Sequence, residues 1–505
     1  MWNYSKSVSS ILILLLSSLS IKGNDNITDS LRCRTIKLQQ QAAWSNPASK
    51  TLCIMPYHST IKIKFLTAPK AFHKIPQLGN GENYIHFSAN TFQQISKKDV
   101  IWGKAEYKNG KKLNVIWNET SDFLKLFPYV MADDRGGDMK YEQYELYGGY
   151  AIKHKKSYIG AELGYHALSE YRDFDPRPNN NSAELKCNIG YGYNLNKNYA
   201  LMGSFTLGRY KQTNTLIYLN ELGAGIEYHI TGLNNDFIRF SGTSNNCFFK
   251  GNSLGTSIGL VPINGKGFSI NLGYNTEWIK KVLTNLNRLP INSLKNKLIS
   301  SEAVYYGHNK GIKLYFLHNR RIGKDNIFGE PTGNLYKQIG GIKQFSSTYT
   351  KLLITGIYKT NIKKNWYIET EPSIGFTALE NKHNSSKNMI NANSIIFGIL
   401  FNSNLKTKKG NLYATFSIQE RKCTKHNMYI NKLNYNEHIK LKPISYMETI
   451  YNYLSNNEQS LNIKIGYDFK ILNNKIISMD INFKHNMYSK KFTSNCYWTE
   501  LYITI

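Results

Sequence analysis

The sequence predicts an all-β chain, a transmembrane antiparallel up-and-down β-barrel of about 16–18 strands, on three observations. Apolar residues recur at every second position, segment after segment, from about residue 140 onward. A short apolar stretch near the start reads as an export signal. No apolar run is long enough to cross a bilayer as a helix, and a mean hydropathy of −0.44 excludes a polytopic helical membrane protein. That average leaves a barrel open, because lipid-facing residues come only at alternate positions along a barrel strand. The 505 residues carry 64 Lys+Arg against 34 Asp+Glu, a net charge of +30. Charged residues are nevertheless only 19%, and 36 Tyr and 23 Phe supply apolar surface to bury, which excludes a disordered polybasic chain.

Along the chain, Lys6 precedes the apolar run 11–16, and Ser18 and Ser20 offer small residues for a signal peptidase. Residues 1–20 are therefore expected to be a cleaved signal peptide. Arg32 before Cys33 does not suit a lipoprotein processing site. Residues 21–110, with Pro56, Pro69 and Pro76 and weaker periodicity, are read as an N-terminal segment that plugs or caps the barrel or supplies its first strands. Short strands are expected there at 61–65 and 84–88. Residues 111–505 are read as the outer-membrane barrel. The six cysteines show no CxxC spacing; Cys33 and Cys53 are either one bridge or two free thiols, and Cys187 reads as a small apolar residue on a strand.

The alternation is explicit. Ile159, Ala161, Leu163 and Tyr165 share one face, opposite Gly160, Glu162 and Gly164. Leu185, Cys187, Ile189 and Tyr191 oppose Lys186, Asn188 and Gly190, and Leu222, Ala224, Ile226, Tyr228 and Ile230 oppose Glu221, Glu227 and His229. Near the end, Ile463, Ile465 and Tyr467 oppose Lys464 and Asp468, and Met479 and Ile481 oppose Asp480 and Asn482. A soluble sandwich also alternates. Long segments, short turns (154–156, 194–198, 264–266, 308–310, 406–410) alternating with long connections (168–182, 230–247, 280–298, 319–335, 378–393), and Tyr and Trp near strand ends favour the barrel. Counting strands from the 406–410 turn leaves the C-terminus on the long-loop side unless 422–441 contains an extra strand. Ile505 departs from the aromatic end common in such barrels.

Two clusters offer chemistry. Asp133, Asp134 and Asp138 beside Gly136 and Gly137 would suit a hard cation, or form a solvated turn. Glu170, Arg172, Asp173, Asp175 and Arg177 mix both charge signs with two prolines just past a strand, and suggest an ion-paired loop at the barrel mouth or a plain surface loop. Lys211 and Arg239 join them as candidates for a polar constriction. No hydrolase, metalloprotease, Walker or dinucleotide fingerprint appears in its required context, so neither an enzyme nor a cofactor is expected. The lysine excess shows no basic stripe or nucleic-acid motif; it reads as compositional bias, with some basic residues near anionic head groups.

Several stretches carry a resemblance: 117–122, Phe127-Pro128-Tyr129-Val130, Gly148-Gly149-Tyr150-Ala151, the segment 170–178, 210–214, and Arg239-Phe240-Ser241-Gly242. Together they resemble an uncharacterised family of Bacteroidetes outer-membrane β-barrel proteins, a domain of unknown function, most specifically over 100–260. The resemblance implies the outer membrane of a Gram-negative bacterium and an accessory role in uptake beside a TonB-dependent receptor or other envelope component. It brings no catalytic residues. The expected function is a pore or accessory component of nutrient uptake, with outer-membrane lipid as a partner and no nucleic acid. The alternatives are a non-transporting, adhesin-like surface barrel whose lumen is filled, and a barrel-borne hydrolase with a catalytic set converging at one rim.

Overall fold

The computed structural model describes residues 45–52, 58–68, 75–220, 225–240, 246–307, 309–333, 335–431, 442–471, 475–489 and 492–504; the expected export signal, Cys33, Cys53 and Ile505 lie outside them. Eighteen strands follow one another around a single closed antiparallel sheet. They are β1 (His58–Ala68), β2 (Gly81–Gln94), β3 (Asp99–Val115), β4 (Gly137–His154), β5 (Ser157–Tyr171), β6 (Arg177–Asn194), β7 (Tyr199–Ile217), β8 (Cys247–Pro262) and β9 (Gly267–Leu283). There follow β10 (Leu289–Tyr306), β11 (Lys310–Phe328), β12 (Gln338–Lys363), β13 (Trp366–His383), β14 (Met389–Lys406), β15 (Gly410–Tyr429), β16 (Glu458–Lys470), β17 (Ile476–Ser489) and β18 (Phe492–Thr504). The last strand pairs with the first, with Thr60 opposite Thr504 and Ile63 opposite Leu501. Closure leaves no edge, so the wall meets its own backbone hydrogen-bonding demand.

The period of two sets the two faces. Ile159, Leu163 and Tyr165 of β5 face outward, as do Ile189 and Tyr191 of β6, Leu207 of β7 and Ile465 of β16, all exposed. The alternate positions face the lumen and are polar or small, including Glu162, Asn188, Ser204, Lys464 and Asp480. Oppositely charged lumen residues pair across strands, Lys62 with Glu500 at 3.3 Å, Lys108 with Glu82 at 2.8 Å and Lys313 with Glu302 at 3.0 Å, and along β3, Lys104 with Glu106 at 2.8 Å. Among the described residues no helix is long and apolar enough to cross a membrane. Cys187 sits between Leu163 and Leu207 on the outer face, as its neighbours implied.

Several boundaries differ from expectation. The first three strands lie within 58–115, so the stretch 21–110 already builds wall and the expected boundary at residue 111 falls inside β3. Most connections expected to be long are short: 172–176, 284–288 and 384–388 replace 168–182, 280–298 and 378–393. The strands run on past the apolar belt, where both faces are polar and the alternation fades. Among the described residues no extra strand lies between β15 and β16; residues 422–429 belong to β15 itself, and 432–441 lie outside the described residues. Helix α1 (Lys442–Ser455) precedes β16 there, and with β18 counted separately the chain ends on the short-turn side. Trp498, one of the aromatic residues near a strand end, faces the lumen, with the Lys64 ammonium 5.0 Å from its ring centroid.

The segment around 222–230 departs most. It was expected to be a wall strand; Leu222 and Ala224 lie outside the described residues, and among those described the strand is Tyr228–Gly232, buried at every position, which pairs with Met131–Ala132 and Asn235–Asp236 inside the barrel mouth. Its alternation separates two sides of a packed cap, not lipid from water.

Candidate functional site: a buried charge cluster in the lumen cap

Described parts of three connections on the long-loop side fold into the barrel mouth: 116–136, residues 225–240 and helix α1. Their apolar side chains form one core with the wall, including Trp117, Leu126, Met131, Tyr228, Ile230, Phe345 and Met447. Trp117 lies between Tyr228 and Tyr446, with ring centroids at 5.5 and 6.2 Å. Arg421 of β15 anchors the end of α1 by donating to the carbonyls of Tyr453 at 2.8 Å and Leu454 at 3.0 Å, which a helix leaves unpaired.

Polar groups pin this cap to the wall. Lys125, on the single helical turn Phe123–Leu126, reaches Glu184 of β6 and Glu277 of β9, each at 2.8 Å. Arg321 of β11 donates to the carbonyls of Leu124 (2.9 Å) and Phe127 (2.7 Å), and Lys281 of β9 to that of Val130 (3.0 Å). Asn180 of β6 and Asn214 of β7 both donate to the Glu119 carbonyl, at 2.7 and 2.9 Å.

Arg172 stands at the centre, fully buried, from the short β5–β6 connection. Its Nη2 donates to Asp133 Oδ2 at 2.8 Å and to Glu119 Oε1 at 3.2 Å, and its Nε donates to the Pro176 carbonyl at 2.8 Å. Asp133 Oδ1 accepts the backbone N–H groups of Arg135 and Gly136, each at 2.7 Å, which fixes the turn where Gly136 takes φ +66°. Glu227 approaches from 218–246; it is buried and accepts the Tyr218 hydroxyl. Two carboxyl groups thus share one guanidinium, and Glu227 stands beside Glu119 as the third of the cluster.

Three buried carboxylates exceed the charge one arginine balances, which favours retention of a proton in the cluster. Burial holds Glu119 well above the usual carboxylate range, with the charges of Glu227 and Asp133 adding to it and Arg172 opposing. Burial pushes Glu227 up as well. A carboxyl group raised in the closed cap stabilises that cap below its ordinary pKa and loses the contribution as pH rises through the raised value. The cap is therefore expected to be tightest in mild acid. Glu119→Gln keeps the hydrogen-bonding shape without the titration. It should slow proteolysis of 116–136 on the alkaline side and leave the mildly acidic rate unchanged; an unaltered pH profile would contradict the assignment.

The expected site residues separate into groups. Arg172 and Asp133 meet in the cluster. Glu170 is buried on the lumen face and pairs with Lys112 at 2.6 Å. Asp173 stays at the surface with Lys140 at 2.5 Å. Asp175 pairs with Arg177 at 2.9 Å on the rim and accepts the backbone N–H groups of Leu219 and Asn220. Two members of the expected constriction do not belong to it. Lys211 shares the outer face of β7 with Phe205 and Leu207, because strand parity turns it away from the lumen. Arg239 holds the β11 end instead, donating to Phe328 and Gly329 carbonyls at 3.0 and 3.1 Å. The cation site expected at Asp133, Asp134 and Asp138 does not converge: Asp133 serves Arg172 and its own turn, while Asp138 sits on β4 with Lys111 at 2.6 Å. Among the described residues no His, Cys, Asp and Glu group has metal-binding geometry. Glu119, Glu227 and Tyr218 were not expected. Glu119 lies in the 117–122 stretch that carried the resemblance, and Glu227 was hidden on the supposed wet face of a wall strand.

Below the cap the lumen keeps a polar cavity of about 270 Å³ lined by Lys62, Lys64, Tyr84, His86, Glu106 and Glu145, among others. At the opposite mouth, the turn Pro47–Leu52 packs against the wall, where Ala48 meets Tyr158 and Met202 and Lys50 pairs with Glu162.

A closed antiparallel barrel, apolar outside and polar within, with a folded cap across one mouth, defines the class. The chain belongs to the Family of unknown function (DUF6850), whose model matches residues 54–503. No curated protein matches it in sequence. Among solved structures it is similar to BauA, the ferric preacinetobactin receptor of Acinetobacter baumannii, with 8% identity over 89% of this chain and 80% of that chain and a TM-score of 0.46. The ferric enterobactin receptor PfeA of Pseudomonas aeruginosa gives 9% over 89% and 81%, TM-score 0.38. The ferric yersiniabactin uptake receptor FyuA of Yersinia pestis gives 7% over 89% and 80%, TM-score 0.39.

Proposed function

We propose that the protein spans the outer membrane of a Gram-negative bacterium and serves as a gated pore or accessory component of nutrient uptake, its lumen closed at rest by the cap. The observation that carries this is the pairing of an apolar outer wall with a charged lumen whose lid is held by a titratable cluster. Hydrocarbon accepts the exposed Ile, Leu and Phe of the wall, while mixed-sign pairs such as Lys104–Glu106 and Lys62–Glu500 suit a small polar solute. The solute or envelope partner, such as a TonB-dependent receptor, would approach from one of the two mouths.

The lumen segment 45–52 and the cap also favour a second reading, a non-transporting surface barrel. Planar bilayers separate the two. The wild-type protein is expected to show rare discrete conductance steps that become frequent when the cap is loosened by Arg172→Met. Folded, inserted protein that stays silent in both forms would leave the surface barrel as the function.

A further inference from the structure

We infer that the outer face of β7–β11 is a docking surface for a membrane lipid whose headgroup carries more than one phosphate, in the leaflet on the long-loop side; this rests on the membrane-spanning reading above. Six basic side chains stand there: Arg209 and Lys211 on β7, Lys250 on β8, Lys280 on β9, Lys297 on β10 and Arg320 on β11, all exposed. Sheet register places them in one patch. Lys211 is directly opposite Lys250, Lys250 opposite Lys280, and Lys297 opposite Arg320.

Like charges directly opposite each other on one face destabilise a sheet. Here two such pairs share a row across β7, β8 and β9, and a third, Lys297 with Arg320, lies four residues nearer the short turns, where Lys297 is opposite Thr276; none of the six forms an ion pair among the described residues. Other outer-face lysines sit beside acids, such as Lys111 by Asp138 at 2.6 Å, Lys140 by Asp173 at 2.5 Å and Lys422 by Glu420 at 3.8 Å. An external anion would relieve the repulsion on β7–β11.

Position selects the anion. Next to the patch on the same strands, toward the short turns, lie Leu207, Ile258, Leu272, Ile299 and Leu314, all exposed. Trp278, outward on β9, carries the Lys295 ammonium 5.5 Å from its ring centroid, the arrangement of a membrane interface. A ligand on this patch therefore has acyl chains against the belt and phosphates against the cations. Five strands at roughly 4.8 Å spacing extend over about 20 Å, wider than one phosphate requires.

The test uses full-length protein in phosphatidylcholine vesicles with and without a few per cent of diphosphoryl lipid A, comparing wild type with a Lys211→Gln, Lys250→Gln, Lys280→Gln, Arg320→Gln variant. Wild type should enrich the phosphorylated lipid over phosphatidylcholine, and the variant should lose that enrichment by at least about tenfold, given the attraction of each basic residue for an anionic surface. Lys111→Gln/Lys140→Gln should retain it, and free inorganic phosphate should not compete at matched ionic strength. Equal enrichment by the quadruple variant, or competition by free phosphate, overturns the inference. Insertion into pure phosphatidylcholine is scored first. Failure there would sink the membrane reading itself, whereas insertion without enrichment would sink only the lipid site.

Discussion

Arg172→Met is expected to release the cap. The substitution roughly preserves length and apolar contact but leaves Asp133, Glu119 and Glu227 buried beside one another without their cation. Removing one partner of a buried ion pair costs about 3–5 kcal/mol, and a loss of that size shifts the closed-to-open ratio of a local element by more than about 100-fold. The wall should survive, because its closure and outward apolar face do not involve the cluster. Limited proteolysis should show rapid cleavage within 116–136 and 218–246 while the heat-modifiable barrel band persists on gels. Arg172→Lys should rescue only partly, since an ammonium cannot reproduce the planar fork that serves Asp133, Glu119 and the Pro176 carbonyl together. Arg177→Met is the control. Its pair with Asp175 lies on the partly exposed rim, and exposed pairs contribute at most about 1 kcal/mol. A cap as protease-resistant in Arg172→Met as in wild type would show that the apolar core around Trp117 and Met131 closes the mouth unaided.

The sequence disclosed the wall better than the cap, for a physical reason. A strand between lipid and lumen must alternate, and Ile159 to Tyr165 or Ile463 to Tyr467 could be assigned from that rule alone. The same rule misassigned 226–230, since a strand packed on both faces also alternates when one side of its surroundings is polar. Glu227 and His229 looked wet and are fully buried. The rule also lost the upper strand ends, such as 179–182 of β6, where Asn and Ser occupy both faces. Arg172 was legible as a charge among prolines just beyond a strand. Its partners were not, because Glu119 and Glu227 come from connections 53 and 55 residues away along the chain, which only the fold brings together.

Gly160→Val is expected to expel the turn at the opposite mouth. A Cβ at Gly160 would lie 2.6 Å from the Ala48 nitrogen and the Pro47 carbonyl carbon and 2.8 Å from the Pro47 oxygen, all backbone atoms that cannot swing aside. Overpacking of this kind costs about 1–3 kcal/mol, comparable with the few hydrogen bonds that hold the turn, each contributing about 1 kcal/mol. Those are Asn46 to the Gly203 carbonyl at 2.7 Å, Asn188 to the Ser45 carbonyl at 3.0 Å and Asn271 to Ser45 Oγ at 2.9 Å, with Lys50 paired to Glu162 and 4.0 Å from the Trp102 ring centroid. Gly164, two lumen-facing positions further along β5, provides the comparison. Its nearest contact would be the Tyr147 Cβ at 3.7 Å, so Gly164→Ala should change nothing. In wild type the Lys50 side chain is almost completely buried, and trypsin should not cut there. In Gly160→Val it should. A turn that narrows the lumen also sets the size of each conductance step, whereas the cap sets how often steps occur. Gly160→Val should therefore enlarge the steps without raising their frequency, the reverse of Arg172→Met. Continued protection of Lys50, or a rise in frequency with unchanged step size, would refute a constriction at residues 45–52.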